Sequence, residues 1–262
     1  MKFNYLKKSI IPALSAVLLL SSCLKDDNIN QDFTKLTAMV GIADASPSGT
    51  SPNSTSVGIV ATDASATFNL VLTWMSDKSN PGTAVTLKLD GDVLDELNEA
   101  RGTDYELLTA GDFEFPTSIT IPAGATTVNI PIKLNPTVIV QTDEDIVKLF
   151  ALPIQITAAS GAGISENFGR HVLLVSIKNK YDGTYQATGI FHHPTAGDRP
   201  FDFEKVLATT DPTTVETTVG DLANFFRLSV DDATNEVTYI GEISPTQPIE
   251  PVPGLPSTYD PA

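Results

Sequence analysis

Period-two alternation, repeated in short runs between turn-forming residues, most limits the folds open to this chain. Across residues 66–74, Phe68, Leu70, Leu72 and Trp74 fall on one side. Residues 84–89 repeat the pattern with Val85, Leu87 and Leu89, after a turn at Ser79-Asn80-Pro81-Gly82. The strongest hairpin signal lies at 118–132, where Ile119 and Ile121 precede Pro122-Ala123-Gly124 and Val128, Ile130 and Ile132 follow it. Pro131 lacks a backbone donor, so its strand is expected at an edge or at a bulge. Phe150, Leu152, Ile154 and Ile156 alternate again, and residues 171–177 supply a further apolar run. Successive strand side chains point to opposite faces, so each run is apolar on one face only and needs a partner to cover it. One short helix is expected over 93–100, with Asp92 as its N-cap and Gly102 closing it. Residues 45–56 and 158–169 read as loops by composition. Several short strands with one helix indicate a β-sandwich, with Phe68, Leu70, Leu72, Ile119, Ile121, Ile130, Ile154 and Ile156 in its core.

The sandwich is expected over 35–180, ending at Lys178-Asn179-Lys180-Tyr181-Asp182-Gly183. A second small β-rich domain follows over 181–262, so the fold class is all-β. Its strands are read at 183–190, 222–230 and 236–240, with a turn at 231–235 between the last two. From Ser244 onward proline dominates, and extended or mobile chain is expected. Residues 257–262 resemble the turn before a further strand, which leaves open whether more chain follows.

The N-terminus carries an address. Lys2, Lys7 and Lys8 form a basic start, residues 10–20 an apolar run too short to span a membrane, and Leu20-Ser21-Ser22-Cys23 a bacterial lipobox. Residues 1–22 are read as a signal peptide and 23–34 as a polar tether, with Cys23 lipidated and embedded in the outer membrane. The competing reading is a plain secretory signal. Against it, the chain's single cysteine falls at the cleavage point. With no second thiol there is no intrachain disulfide, and the fold must hold by packing. Lys25, Asp26 and Asp27 look like the surface-export signal of Bacteroidota lipoproteins, which would place the protein on the cell exterior. A formal charge of −16 excludes nucleic acid as a natural partner and disfavours adsorption on anionic headgroups.

Leu97-Asn98, Tyr105-Glu106-Leu107-Leu108, Ile119-Thr120-Ile121-Pro122-Ala123-Gly124 and Leu152-Pro153-Ile154-Gln155-Ile156 follow one another in a familiar order. Together they resemble the N-terminal β-sandwich domain of Bacteroidota surface lipoproteins, long filed as a domain of unknown function. The domain is similar to the one ahead of the catalytic barrel in some family 18 endo-β-N-acetylglucosaminidases. It also occurs in lipoproteins encoded beside glycan-uptake systems. Tyr181-Asp182-Gly183-Thr184-Tyr185 looks like the start of the second domain in the non-enzymatic relatives. The resemblance implies an oligosaccharide ligand and a neighbouring transporter or glycosidase, and brings no binding residues with it.

No catalytic constellation stands out. The alternating Asp run ending in a catalytic Glu that a family 18 hydrolase needs is absent, and Asp143-Glu144-Asp145 reads as a solvated loop. His192 and His193 would point to opposite faces of a strand and could not share one ion. Asp90, Asp92 and Asp95, or Asp231, Asp232 and Asn235, could gather oxygens for calcium, but helix capping and turn formation account for both groups. No cofactor is expected. Sugar binding calls for an exposed ring with hydrogen-bonding groups beside it. Trp74 is in phase with core residues, and Tyr185 fits packing at the domain boundary as well as it fits an exposed ring. Phe191, His192, His193, Asp198 and Arg199 are therefore the candidate ligand-binding set, on an exposed loop. These features favour a non-catalytic surface lipoprotein that binds or displays glycans. The alternative is a structural or adhesive protein that contacts other proteins through its sheet edges.

Overall fold

A computed structural model describes residues 37–43, 51–193, 195–220, 224–244, 247–248 and 254–260. The signal peptide, Cys23, Lys25, Asp26 and Asp27 lie outside the described residues. The first strands are β1 (Met39–Ile42), β2 (Asn53–Val60), β3 (Ala66–Met75) and β4 (Thr83–Leu89), followed by helix α1 (Gly91–Arg101). Next come β5 (Glu106–Leu107), β6 (Phe113–Glu114), β7 (Ser118–Ile121), β8 (Thr127–Leu134) and the single turn α2 (Pro136–Ile139). A 3-10 turn at Asp143–Val147 leads to β9 (Leu149–Ala159), β10 (Gly163–Ile164) and β11 (Arg170–Lys178). The later strands are β12 (Gly183–His193), β13 (Gly197–Asp211), β14 (Thr214–Thr218), β15 (Phe225–Val230) and β16 (Val237–Ile240).

The fold is all-β. One sheet has the order β10-β1-β3-β8-β6, and a second the order β2-β11-β9-β4-β7 with β5 beside β9. Their apolar faces meet in one core. Leu70, Leu72, Ile121, Ile130, Ile154 and Ile156 are buried in it as the alternation requires, and Phe68 and Ile119 pack against its margin. Trp74 belongs to the same core at 5% exposure, its indole N–H satisfied by the Lys78 carbonyl at 2.8 Å. Helix α1 covers the outer face of the second sheet, where Val93, Leu94 and Leu97 pack on Ala151, Val172 and Leu174. Asp90, not Asp92, is its N-cap residue, and Gly102 ends it in the left-handed region at φ 64°. Arg170 ties the helix to β11 through Glu96.

The expected hairpin at 118–134 is not a hairpin. β7 pairs with β4 in one sheet and β8 with β3 in the other, so residues 122–126 arch across the sandwich. Buried Asn80 holds the arch. Its amide donates to the carbonyls of Ile121 (3.1 Å), Pro122 (2.9 Å) and Ala125 (3.1 Å), and its Oδ1 accepts from Gly82 N and Thr83 Oγ1. Alternation and a Pro-Ala-Gly turn look the same in a hairpin and an arch; a distant asparagine decides between them. Pro131 is exposed on β8 and lies beyond the two residues, Lys133 and Leu134, that β6 pairs, so no donor is missed there.

Two further expectations fail locally. Asn53 to Ser56, read as loop, open β2, which runs parallel to β11 in full register from Asn53 opposite His171 to Val60 opposite Lys178. A strand rich in Ser, Thr and Gly pairs through its backbone and leaves little hydrophobic signal. Asp145 is buried within the 3-10 turn rather than solvated. Lys148 at 2.9 Å and the Thr142 and Gln141 amides hold its carboxyl well below the usual carboxylate range.

His171 faces the sandwich core at 0% exposure, and neither ring nitrogen meets a hydrogen-bond partner among the described residues. Thr55 Oγ1, on the neighbouring strand and the same side, is equally unpartnered. Burial pulls the His171 imidazole down to about 4 from its ordinary 6.5. The folded state therefore resists a proton that the unfolded chain accepts. Stability is full above pH 6.5 and falls as pH drops toward 4, by up to about 3 kcal/mol. Urea titrations at pH 7.5 and 4.5 should show about 2–3 kcal/mol less stability in acid for the wild type. His171→Leu should remove most of that difference, and an equal loss in both proteins would assign it to other groups.

Candidate functional site

A third sheet is an antiparallel meander, β12-β13-β14-β15-β16, hung on residues 179–182. Asn179 is buried there and donates to the carbonyls of Asp211 (2.8 Å) and Thr214 (3.0 Å), while its Oδ1 accepts from Tyr181 N at 2.9 Å. Asp182 accepts from Lys178 Nζ (2.8 Å), Thr209 N (2.8 Å) and Thr209 Oγ1 (3.0 Å). Burial alone would raise the Asp182 carboxyl; these donors outweigh it and hold the group below its ordinary value. Tyr181 is 1% exposed, stands edge-on to Tyr259 at 4.8 Å, and donates its hydroxyl to Asp232. That hydroxyl and Lys180 at 3.1 Å draw the Asp232 carboxyl downward.

Members of both groups weighed for calcium make other contacts. Asp90 pairs with Lys88 at 3.0 Å. Asp231 caps its own turn through Ala233 N and Thr234 N, which lets Asn235 adopt φ 57°. Part of the proline-rich end docks back on the sheet. Val237 N donates to the Ser257 carbonyl and Tyr259 N to the Asn235 carbonyl, both at 2.8 Å.

The candidate ligand-binding residues come together, on strands rather than on a loop. β12 and β13 form a long hairpin that pairs Phe191 with Arg199, His192 with Asp198 and His193 with Gly197. A run of turn formers misled the sequence reading, because 11 consecutive backbone pairs carry the strands to the tip. On one face the Arg199 guanidinium lies 5.4 Å from the Phe191 ring centre. On the other, exposed His192 Nδ1 and Asp198 Oδ1 are 2.7 Å apart. The His193 side chain lies outside the described residues.

Residues the sequence reading passed over lie beside this tip. Phe201 and Phe203 continue the Phe191–Arg199 face along β13, and their alternation with Asp202 and Glu204 was the available signal. With Tyr185 and Phe226 they line a depression of about 250 Å³. Tyr185 packs near the joint as expected, and its hydroxyl donates to the Tyr181 carbonyl at 3.0 Å.

Residues 34–163 match a family model described as a "-like, N-terminal domain". This stretch holds the sandwich through β9 and the first residue of β10, and its similarity to a family of N-terminal domains is in line with the resemblance seen in the sequence. No curated protein matches the chain. Among solved structures, a multidomain protein including DUF1735 from Bacteroides ovatus is 18% identical, with a TM-score of 0.46 over 80% of this chain and 73% of that one. An auxiliary nutrient binding protein from Bacteroides thetaiotaomicron is 16% identical, with a TM-score of 0.45 over 78% of this chain and 75% of that one. Bacteroides thetaiotamicron EndoBT-3987, solved with its Man5GlcNAc product, is 19% identical, with a TM-score of 0.40 over 57% of this chain and 43% of that one. What each of these binds is a property of that protein.

Asn179→Ala should cost about 2–3 kcal/mol, because the Asp211 and Thr214 carbonyls and the Tyr181 amide lose their partner at once. Urea unfolding followed by tyrosine fluorescence measures it. A loss below about 0.5 kcal/mol would mean that the joint tolerates water in place of the amide.

Proposed function

We propose that this chain is a non-catalytic, lipid-anchored outer-membrane protein that binds glycans at the tip of its β12–β13 hairpin. The observation that carries the reading is the hairpin itself. It sets a ring, a guanidinium, an imidazole and a carboxylate within four residue pairs of one another, all near solvent. A pyranose offers a C–H face to a ring and hydroxyls to charged hydrogen-bonding groups, and such bonds are stronger than those between neutral groups. The match of residues 34–163 to a model of N-terminal domains adds support, because the resemblance implies work beside glycan-uptake or glycan-cleaving machinery. The lipobox at Cys23 and the acidic residues Asp26 and Asp27 support an anchor on the outward face of the cell.

A glycan array probed with the chain lacking residues 1–22 should give saturable signal on specific oligosaccharides. Phe191→Ala together with Asp198→Ala should weaken that binding at least tenfold, about 1.4 kcal/mol, with the circular dichroism spectrum unchanged. Signal that survives the double change would move the site off the hairpin. In cells, Cys23→Ala should release the protein from the outer membrane or leave its signal uncleaved; normal processing and retention would refute the anchor.

A further inference from the structure

Among the described residues, the apolar face of the third sheet is covered over one half. Tyr181 and Tyr259 pack on Val215, Leu228, Val230 and Val237. Beyond them the face is open around Phe201, Phe203 and Phe226. The first two rings stand 5.3 Å apart along β13. Phe201 lies against the bare backbone of Gly189, where a Cβ would come within 2.7 Å of its ring. The rings therefore lie along the sheet as a floor.

One cation borders that floor. Lys205 follows Phe201 and Phe203 on the same face of β13, opposite Tyr185. Its ammonium sits 5.2 Å from the Phe203 ring centre and donates to Thr218 Oγ1. Neither contact supplies a negative charge, and no carboxylate pairs with Lys205 among the described residues. The chain has 32 acidic and 16 basic residues, so an ammonium held by a ring and a hydroxyl, away from carboxylates, runs against its overall charge. Nearby Glu204 points to the opposite face of the strand. A neutral sugar finds little here, since the Tyr185 hydroxyl is committed to the Tyr181 carbonyl and the Thr218 hydroxyl to Lys205. An apolar body is matched by the rings, and an anionic end by the ammonium.

We propose that this groove binds an amphipathic carboxylate, its apolar body over Phe201, Phe203 and Phe226 and its carboxylate on Lys205 Nζ. The ligand is of a different class from the glycan assigned to the hairpin, and the groove does not depend on that assignment. Decanoate and decanol, titrated calorimetrically into the chain lacking residues 1–22, separate charge from apolar contact. Decanoate should saturate and bind at least tenfold tighter than decanol. Lys205→Met should remove that preference, Lys205→Arg should keep it, and Phe203→Ala should weaken both ligands. Equal binding of the two by the wild type, absence of saturable decanoate binding, or decanoate binding unchanged by Lys205→Met would each overturn the proposal. The wild-type comparison alone decides if the variants fail to fold.

Discussion

A strand with alternating side chains has one apolar face, and a sheet of such strands persists in water only when that face is covered. Every burial pattern in this chain follows from how that cover is found. The first two sheets cover each other, and each Å² of apolar surface so removed from water contributes roughly 25 cal/mol. The second sheet is apolar on both sides and needs a second cover, which α1 supplies through Val93, Leu94 and Leu97. Among the described residues the third sheet has a partial lid, built from Tyr181 at the joint and Tyr259. Its uncovered part is the aromatic groove. The feature that most constrains the fold thus also locates the groove.

How far the sequence foretold this depended on whether a feature is local. Burial of Leu70, Leu72, Ile130 and Ile154 was legible because period two is a property of a few adjacent residues. Helix α1 was legible within two residues at its start, with Asp90 rather than Asp92 at the cap. Strand partners were not legible. Residues 118–134 have the turn and alternation of a hairpin, and only Asn80, about 40 residues upstream, reveals an arch between sheets. Likewise β2 is defined by eight register partners on β11, not by its own Ser- and Thr-rich side chains. At the site, Phe191, His192, Asp198 and Arg199 were found as a set because they are close in sequence. Phe201, Phe203 and Lys205 were missed because a strand with charged alternate positions reads as polar until its two faces are separated.

Asn179 and Asp182 show why the third sheet can serve as a platform. Hydrogen bonds from a short linker would ordinarily be exchanged with water at little net gain. Here the Asn179 side chain is itself buried, and breaking the set leaves several groups unsatisfied together. Such a joint transmits orientation. β12 leaves it at Gly183 and reaches the hairpin tip at His193, a run on the order of 30 Å at strand rise.

Along β13, Arg199 and Lys205 face the same side and are separated by Phe201 and Phe203, a spacing of about 20 Å at strand rise. Each cation lies beside an aromatic ring, Arg199 by Phe191 and Lys205 by Phe203. Their surroundings differ in kind. At the tip an exposed His192–Asp198 pair occupies the reverse face. At the groove the ammonium lies beside the Phe203 ring, and no carboxylate pairs with it among the described residues. A contact with Arg199 must compete with solvent and with salt, which screens exposed charges at this range. A contact with Lys205 is made where apolar walls reduce that competition. The same strand thus offers two chemically distinct contacts, and alternation is what keeps both on one face while turning Asp202 and Glu204 to the other.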